Sequence, residues 1–374
     1  MLRFKEKGGK EKELPVHHKL EELLDQYLKA TGWQSAAVMD EQFPGWTAGR
    51  DSCRMKARVD RTQNPSRDSG DQPGHADIVV FCDESGAKGY ADQLEKEPGE
   101  IGIFAGFPVQ RENLGLLAAE FKSELAEFRE STGKIHIAEV SPERQERLRQ
   151  KVYTVLLRRP IFCFYEAIHV QGFHSAYKSQ CELVESVAAK LGKTPKKKPI
   201  PQSLHVHLFE GFYGRILTFC AKVGITNIAI EIRTDRVDGP ILKKFHSQAE
   251  ALLSDTRRYK LTRWDPETSK VTKGSINLKL KGSPAPIAVR DCIIQPAAED
   301  SDLVLAADVL ANSLNYHFSN RPADRKFGPL NIKEAISTHP LARILNFRQG
   351  RPAWDFADSL FAHPRNPERP KLPN

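Results

Sequence analysis

Apolar and polar positions change period repeatedly along this chain, from unbroken apolar runs to the i, i+3, i+4 spacing of amphipathic helices. The run Ile78-Val79-Val80-Phe81-Cys82 predicts a buried strand over 78–82, which ends abruptly on Asp83, Glu84, Ser85 and Gly86. A second strand is predicted over 101–109. Leu114, Leu117, Ala118, Phe121, Leu125 and Phe128 then recur at helical spacing across 113–130. A short strand over 134–138 follows, and Ser141-Pro142 supplies the N-cap and first-turn proline of a helix reaching about 158. Strands over 161–170, 226–233, 275–280 and 287–294 interleave with helices over 174–191, 203–223, 239–254 and 301–318. Strands alternating with helices predict an α/β fold, a mixed sheet with helices packed on it.

The pattern weakens at both ends. Leu20, Leu23, Leu24, Tyr27 and Leu28 predict a short helix over 15–31 that could dock on a protein partner or a second copy of the chain. Residues 48–76 run polar and charged, so 1–76 is read as a helix followed by a basic, flexible arm. The organised domain spans 77–347, and 348–374 is a Pro- and Arg-rich tail. With 374 residues and 40% hydrophobic positions the chain can bury a substantial core. A net charge of +8 favours an anionic partner, nucleic acid first. Six cysteines without a CxxC pair suit a reducing cytoplasm rather than a disulfide scaffold. There is no apolar signal core and no stretch that could span a bilayer, so the expectation is a soluble cytoplasmic protein without a membrane partner.

Charge placement supplies the chemistry. Asp83 ends the first strand, Glu139 the strand over 134–138, and Asp235 follows the strand over 226–233, with Asp238 close enough to compete. Asp308 lies in a helix that is apolar around most of its circumference, where Leu303, Ala307, Leu310 and Leu314 form the core face. Asp308, Asn312 and Asn315 make a narrow polar stripe along it. Carboxylates gathered from strand ends and one helix repel unless a cation neutralises them. They are the hard oxygen donors that Mg²⁺ or Mn²⁺ takes. Two such ions about 4 Å apart clamp both oxygens of a cleaved phosphodiester.

Other chemistries fit less well. A hydrolase elbow needs glycine two residues before its serine, and Asp83 stands there before Ser85. A phosphatase-type aspartate wants a second aspartate two residues on, where this chain has Ser85. His205 and His207 lack a third ligand of clear spacing and read as structural or exposed, whereas His136 shares a segment with Glu139 and could shuttle a proton or contact phosphate. Lys196, Lys197 and Lys198, with Arg233, Arg236 and Lys243 near Asp235, could attract a phosphate backbone.

Taken in order, four segments resemble domain-of-unknown-function family 3800: Asp83-Glu-Ser-Gly after an apolar strand, Lys134-Ile-His-Ile-Ala-Glu-Val-Ser, Ile232-Arg-Thr-Asp-Arg, and Leu305-Ala-Ala-Asp-Val-Leu-Ala-Asn-Ser-Leu. The resemblance covers roughly 77–320. It implies a ribonuclease-H-like fold and a metal-dependent nuclease acting on DNA or RNA, often encoded near mobile or anti-phage elements. On that resemblance Asp83, Glu139, Asp235 and Asp308 hold Mg²⁺ or Mn²⁺, with Glu84 as a supplementary ligand. The alternative is a catalytically inactive module that binds nucleic acid or a protein partner on the same fold.

Overall fold

The computed structural model describes residues 75–128, 136–159, 161–190, 199–225, 227–235, 237–253, 288–296, 301–345 and 356–367, together with strands at 2–5, 11–14, 256–264 and 271–279. Strands β1 (Leu2–Lys5) and β2 (Glu11–Leu14) join β7 (Thr256–Trp264) and β8 (Val271–Lys279) in a four-stranded sheet of order β2-β1-β8-β7. The strand predicted over 275–280 therefore belongs to this smaller sheet.

The main sheet has five strands. Its centre is β3 (His75–Gly86), flanked by antiparallel β4 (Ile101–Gln110) and parallel β6 (Asn227–Thr234). Beyond them lie β5 (Phe164–His169), antiparallel to β4, and β9 (Ala288–Pro296), parallel to β6. The order β5-β4-β3-β6-β9, with β4 alone reversed, is the ribonuclease-H-like arrangement. Helices cover both faces, which is why β3 reads as an unbroken apolar run and not as an alternating one.

One layer holds α1 (Leu114–Glu124), α2 (Pro142–Arg158) and α6 (Asp302–Ser319); the other holds α3 (Val170–Lys190), α4 (Leu204–Lys222) and α5 (Gly239–Leu253). Val79 and Phe81 belong to the first layer, Ile78, Val80 and Cys82 to the second. Phe104, Phe209 and Phe245 knit the second layer together, the last two stacked with centroids 4.1 Å apart. At α2 the expected cap forms: Ser141 accepts the Arg144 N–H, and Pro142 opens the helix.

The structure differs from the sequence pattern at several points, among them the strands at 2–5 and 11–14 in the stretch read as a helix and arm and the unpredicted strand at 256–264. Residues Ile137–Glu139 form a 3₁₀ turn instead of the end of a strand over 134–138, of which 134 and 135 lie outside the described residues. The Ile137 N–H is taken by a side chain, the Asp308 carboxylate, so no ladder is needed there. The strand expected over 161–170 is shorter, and α3 begins at Val170, ahead of the predicted 174. Gly172 lies inside the helix, and a Cβ there would sit 1.8 Å from the Phe361 carbonyl oxygen, so packing requires glycine at this position.

That neighbour belongs to the stretch read as a tail. There α7 (Phe356–Leu360) places the buried Asp358 so that it accepts the N–H groups of Leu330 and Asn331 at 2.9 and 2.8 Å. The Asn331 side chain pairs with both backbone groups of Ala167 on β5, closing part of that edge strand. Among the described residues no helix is long and apolar enough to cross a membrane, and the five described cysteines are free thiols. The helix predicted over 15–31 lies outside the described residues.

Candidate carboxylate site

Strand geometry alone brings two of the acidic residues together. The β3–β6 ladder closes with Cys82 opposite Thr234, so Asp83 and Asp235 are the next residues of two neighbouring parallel strands. Residues in register on parallel strands share a face. The Arg233 guanidinium lying over the Phe81 ring at 5.7 Å reports that shared face one step earlier. On the other flank β3 stays paired with β4 as far as Gly86, which keeps the Asp83 backbone fixed. Alternation then sends Asp83 towards the layer of α6 and Glu84 towards the layer of α4.

The third carboxylate comes from α6. Between Leu303 and Leu314 every residue is buried except Leu305, Asp308 and Asn312. Asp308 accepts the Ile137 N–H at 3.2 Å through Oδ2. His136 Nδ1 stands 3.8 Å from that oxygen and 3.9 Å from Asp235 Oδ2, so one imidazole nitrogen spans the gap between the two aspartates. Asn312 accepts from Arg149 at 2.8 Å, and Asn315 donates to Ser85 Oγ at 3.2 Å. Ser85 is thus a hydrogen-bond acceptor that ties the end of β3 to α6. Gly86 follows with φ +81, where a Cβ would lie 2.3 Å from the Ile101 carbonyl oxygen.

Two neighbouring carboxyls are tuned in opposite directions. Asp83 is only 5% exposed, and burial pushes it well above the usual carboxylate range. The charges of Glu84, Asp308 and Asp235 add to the push, against one opposing hydrogen bond from the Glu84 N–H at 2.9 Å. Burial would also raise Glu84, but His205 and Lys88 outweigh it and hold the carboxyl down to about 2. Lys88 donates to Glu84 Oε1, and His205 Nε2 lies 3.5 Å from Oε2. The Lys88 ammonium is raised in return: burial works against it and the Glu84 charge prevails.

Other sequence-derived positions fall elsewhere. Glu139 is exposed on the 3₁₀ turn that follows His136. Asp238 is exposed at the start of α5, while Asp235 is the one that approaches His136. Lys243 is exposed on α5, and Arg233 pairs with Glu231 at 2.6 Å. Lys196, Lys197, Lys198 and Arg236 lie outside the described residues. Arg149 is a site neighbour that sequence reading passed over. Its signal was an arginine wedged beside the apolar positions Leu148 and Val152 of α2.

No protein-family model matches the sequence, and no curated protein matches it. Among solved structures the chain is similar to the ribonuclease H2 from Pyrococcus horikoshii OT3, at 13% identity and a TM-score of 0.25, over 76% of this chain and 96% of that one. The fold assignment rests on the strand order and directions described above.

The donor chemistry fits a hard divalent cation. Asp83, Asp235 and Asp308 are all-oxygen donors, and the crowding that raises Asp83 is the kind a cation relieves. Among the described residues no three His, Cys, Asp or Glu side chains stand at ligating distance from one centre.

Proposed function

We propose that this chain is a divalent-metal-dependent nuclease. The reading is supported by the approach of Asp83 and Asp235, from adjacent strand ends, to Asp308 from α6, the last two flanking His136. Those three aspartates would hold Mg²⁺ or Mn²⁺, with Glu139 joining from the turn beside His136. When bound, the ion supplies Lewis-acid stabilisation and a water acidic enough to attack phosphorus. Asp308 fixes the turn through the Ile137 N–H and so sets the position of His136. His136 can carry a proton at Nδ1 between two carboxylates and release it to a leaving oxygen. Glu84, paired with Lys88 and 3.5 Å from His205, holds the end of β3 in place from the opposite layer, away from the three aspartates, and so is left out of the ligand set. The phosphate backbone would be gathered by Lys196, Lys197, Lys198 and Arg236.

The test is cleavage of single- and double-stranded DNA and RNA by the full chain with Mn²⁺ or Mg²⁺. Asp83→Asn and Asp308→Asn should each lower the rate by about a hundredfold or more, the several kcal/mol that metal assistance supplies. Nucleic-acid affinity and melting temperature should persist. A protein that cuts none of these substrates with either ion would sink the reading and leave the inactive binding module in its place.

A further inference from the structure

The polar stripe of α6 continues past the carboxylates. One turn beyond Asn312 comes Tyr316, which is 61% exposed on a helix otherwise largely buried. Arg149 links the two: its guanidinium donates to Asn312 Oδ1 and lies 4.9 Å from the Tyr316 ring centroid. Arg149 is itself only 8% exposed, is held also by Gln145, and keeps a buried Nε without a hydrogen-bond partner. A buried, tethered cation against one ring is a costly arrangement for a tyrosine that merely faces water. The same tyrosine and arginine line a cleft of about 780 Å³ between α6, α2 and the segment that follows α6.

The lining discriminates between phosphate and base. Its described lining sets Arg149, Arg321 and Arg325 against Glu146, Asp324 and Glu334: Arg149 lies 3.6 Å from Glu146 and Arg325 4.0 Å from Asp324, while Arg321 donates to the Pro329 and Ala335 carbonyls. A cleft built for a phosphate backbone needs surplus cation, and this one has none. Tyr153, His317 and His339 supply uncharged rings to its wall, held in place by bonds of Ser313 to His339, of His339 to the Leu341 N–H and of His317 to the Ala335 carbonyl. Burial pushes both histidines down, His339 to about 3, so they stay neutral at physiological pH. Aromatic faces with neutral donors and acceptors are what an unpaired heterocyclic base requires. The volume lies in the range of small-molecule sites.

We propose that this cleft is a subsite for an unpaired nucleobase of the bound strand, with Tyr316 as its stacking platform and Arg149 as the residue that positions the ring. The proposal rests on the nuclease reading and extends it to substrate form: a single-stranded or locally opened strand. Eight residues of helix place Tyr316 about 12 Å along the axis from Asp308. With nucleotides spaced at about 3.4 Å when stacked as in a duplex and further apart when unstacked, that span is at most roughly three to four nucleotides. The base on Tyr316 is therefore a flanking one, away from the cleaved bond.

The experiment uses the full chain without divalent metal, so that binding is read apart from cleavage. Single-stranded DNA and RNA oligonucleotides carry 2-aminopurine at successive positions, with the matching duplexes as comparison. Stacking on Tyr316 should quench the fluorescence in one register and not in the duplex. Tyr316→Ala should abolish that quench and raise Kd by about 5- to 150-fold, while Tyr316→Phe should keep both near wild type. Unchanged melting temperatures would show that the loss is local. Unaltered Kd and quenching in Tyr316→Ala, or equal quenching of duplexes, would overturn the subsite even if the enzyme cuts. A wild type that binds and quenches yet never cuts would support the subsite and sink the nuclease reading alone.

Discussion

Replacing Glu84 by glutamine removes one buried charge and leaves the shape of the site intact. Its side chain is 7% exposed, so solvent screening discounts the charge little. Held at about 2 against an ordinary 4.5, the ionised carboxylate contributes roughly 3 kcal/mol to folding. The folded value lies below the unfolded one, so this stability is complete above about pH 5 and is lost as the pH falls towards 2. Between about pH 5 and pH 3, roughly 2 kcal/mol of it should vanish. The measurement is urea unfolding of wild type and Glu84→Gln at several pH values, with the difference in ΔG plotted against pH. A difference that stays flat from pH 5 to pH 3 would refute the claim that Lys88 and His205 depress Glu84. The same variant should retain far more cleavage activity than Asp83→Asn, because Glu84 points into the other layer.

Asp83 titrates in the opposite sense. Burial, then the charges of Glu84, Asp308 and Asp235, keep it protonated to unusually high pH, so Mn²⁺ affinity should weaken as pH falls, by up to about tenfold per pH unit while Asp83 holds its proton. Calorimetric titration checks this, and Asp308→Asn should move the midpoint to lower pH; affinity independent of pH would count against the cluster. Gly86→Ala combines a positive φ with a backbone clash and should cost about 2 kcal/mol or more in thermal or urea unfolding.

Much of this was legible in the order of residues. Five apolar positions ending on Asp83 predict both the central strand and the carboxylate at its mouth, because only a strand covered on both faces tolerates such a run. The helix of Asp308 was readable for the same reason: with the rest of its circumference apolar, three polar positions had to share one line. What escaped was set by tertiary partners. A strand pattern over 134–138 gave way to a turn once Asp308 offered its carboxylate to the Ile137 N–H. The helix expected from 174 begins at Val170, and Gly172 within it is fixed by the close approach of the Phe361 backbone. Arg149 and Tyr316 lie more than 160 residues apart, and no local pattern says that they touch. The lysines at 196–198 carried a sequence argument that rests on residues outside those described.

Asp83 and Glu84 share a single peptide unit yet project into different layers of the molecule, one among aspartates, the other beside a lysine and a histidine. One backbone unit, held by its pairing with Ala105 and Phe104 on β4, therefore joins two charge environments tuned in opposite directions. A substitution at either residue is read on its own face of the sheet, Asp83 against Asp235 and Asp308, Glu84 against Lys88 and the first turn of α4.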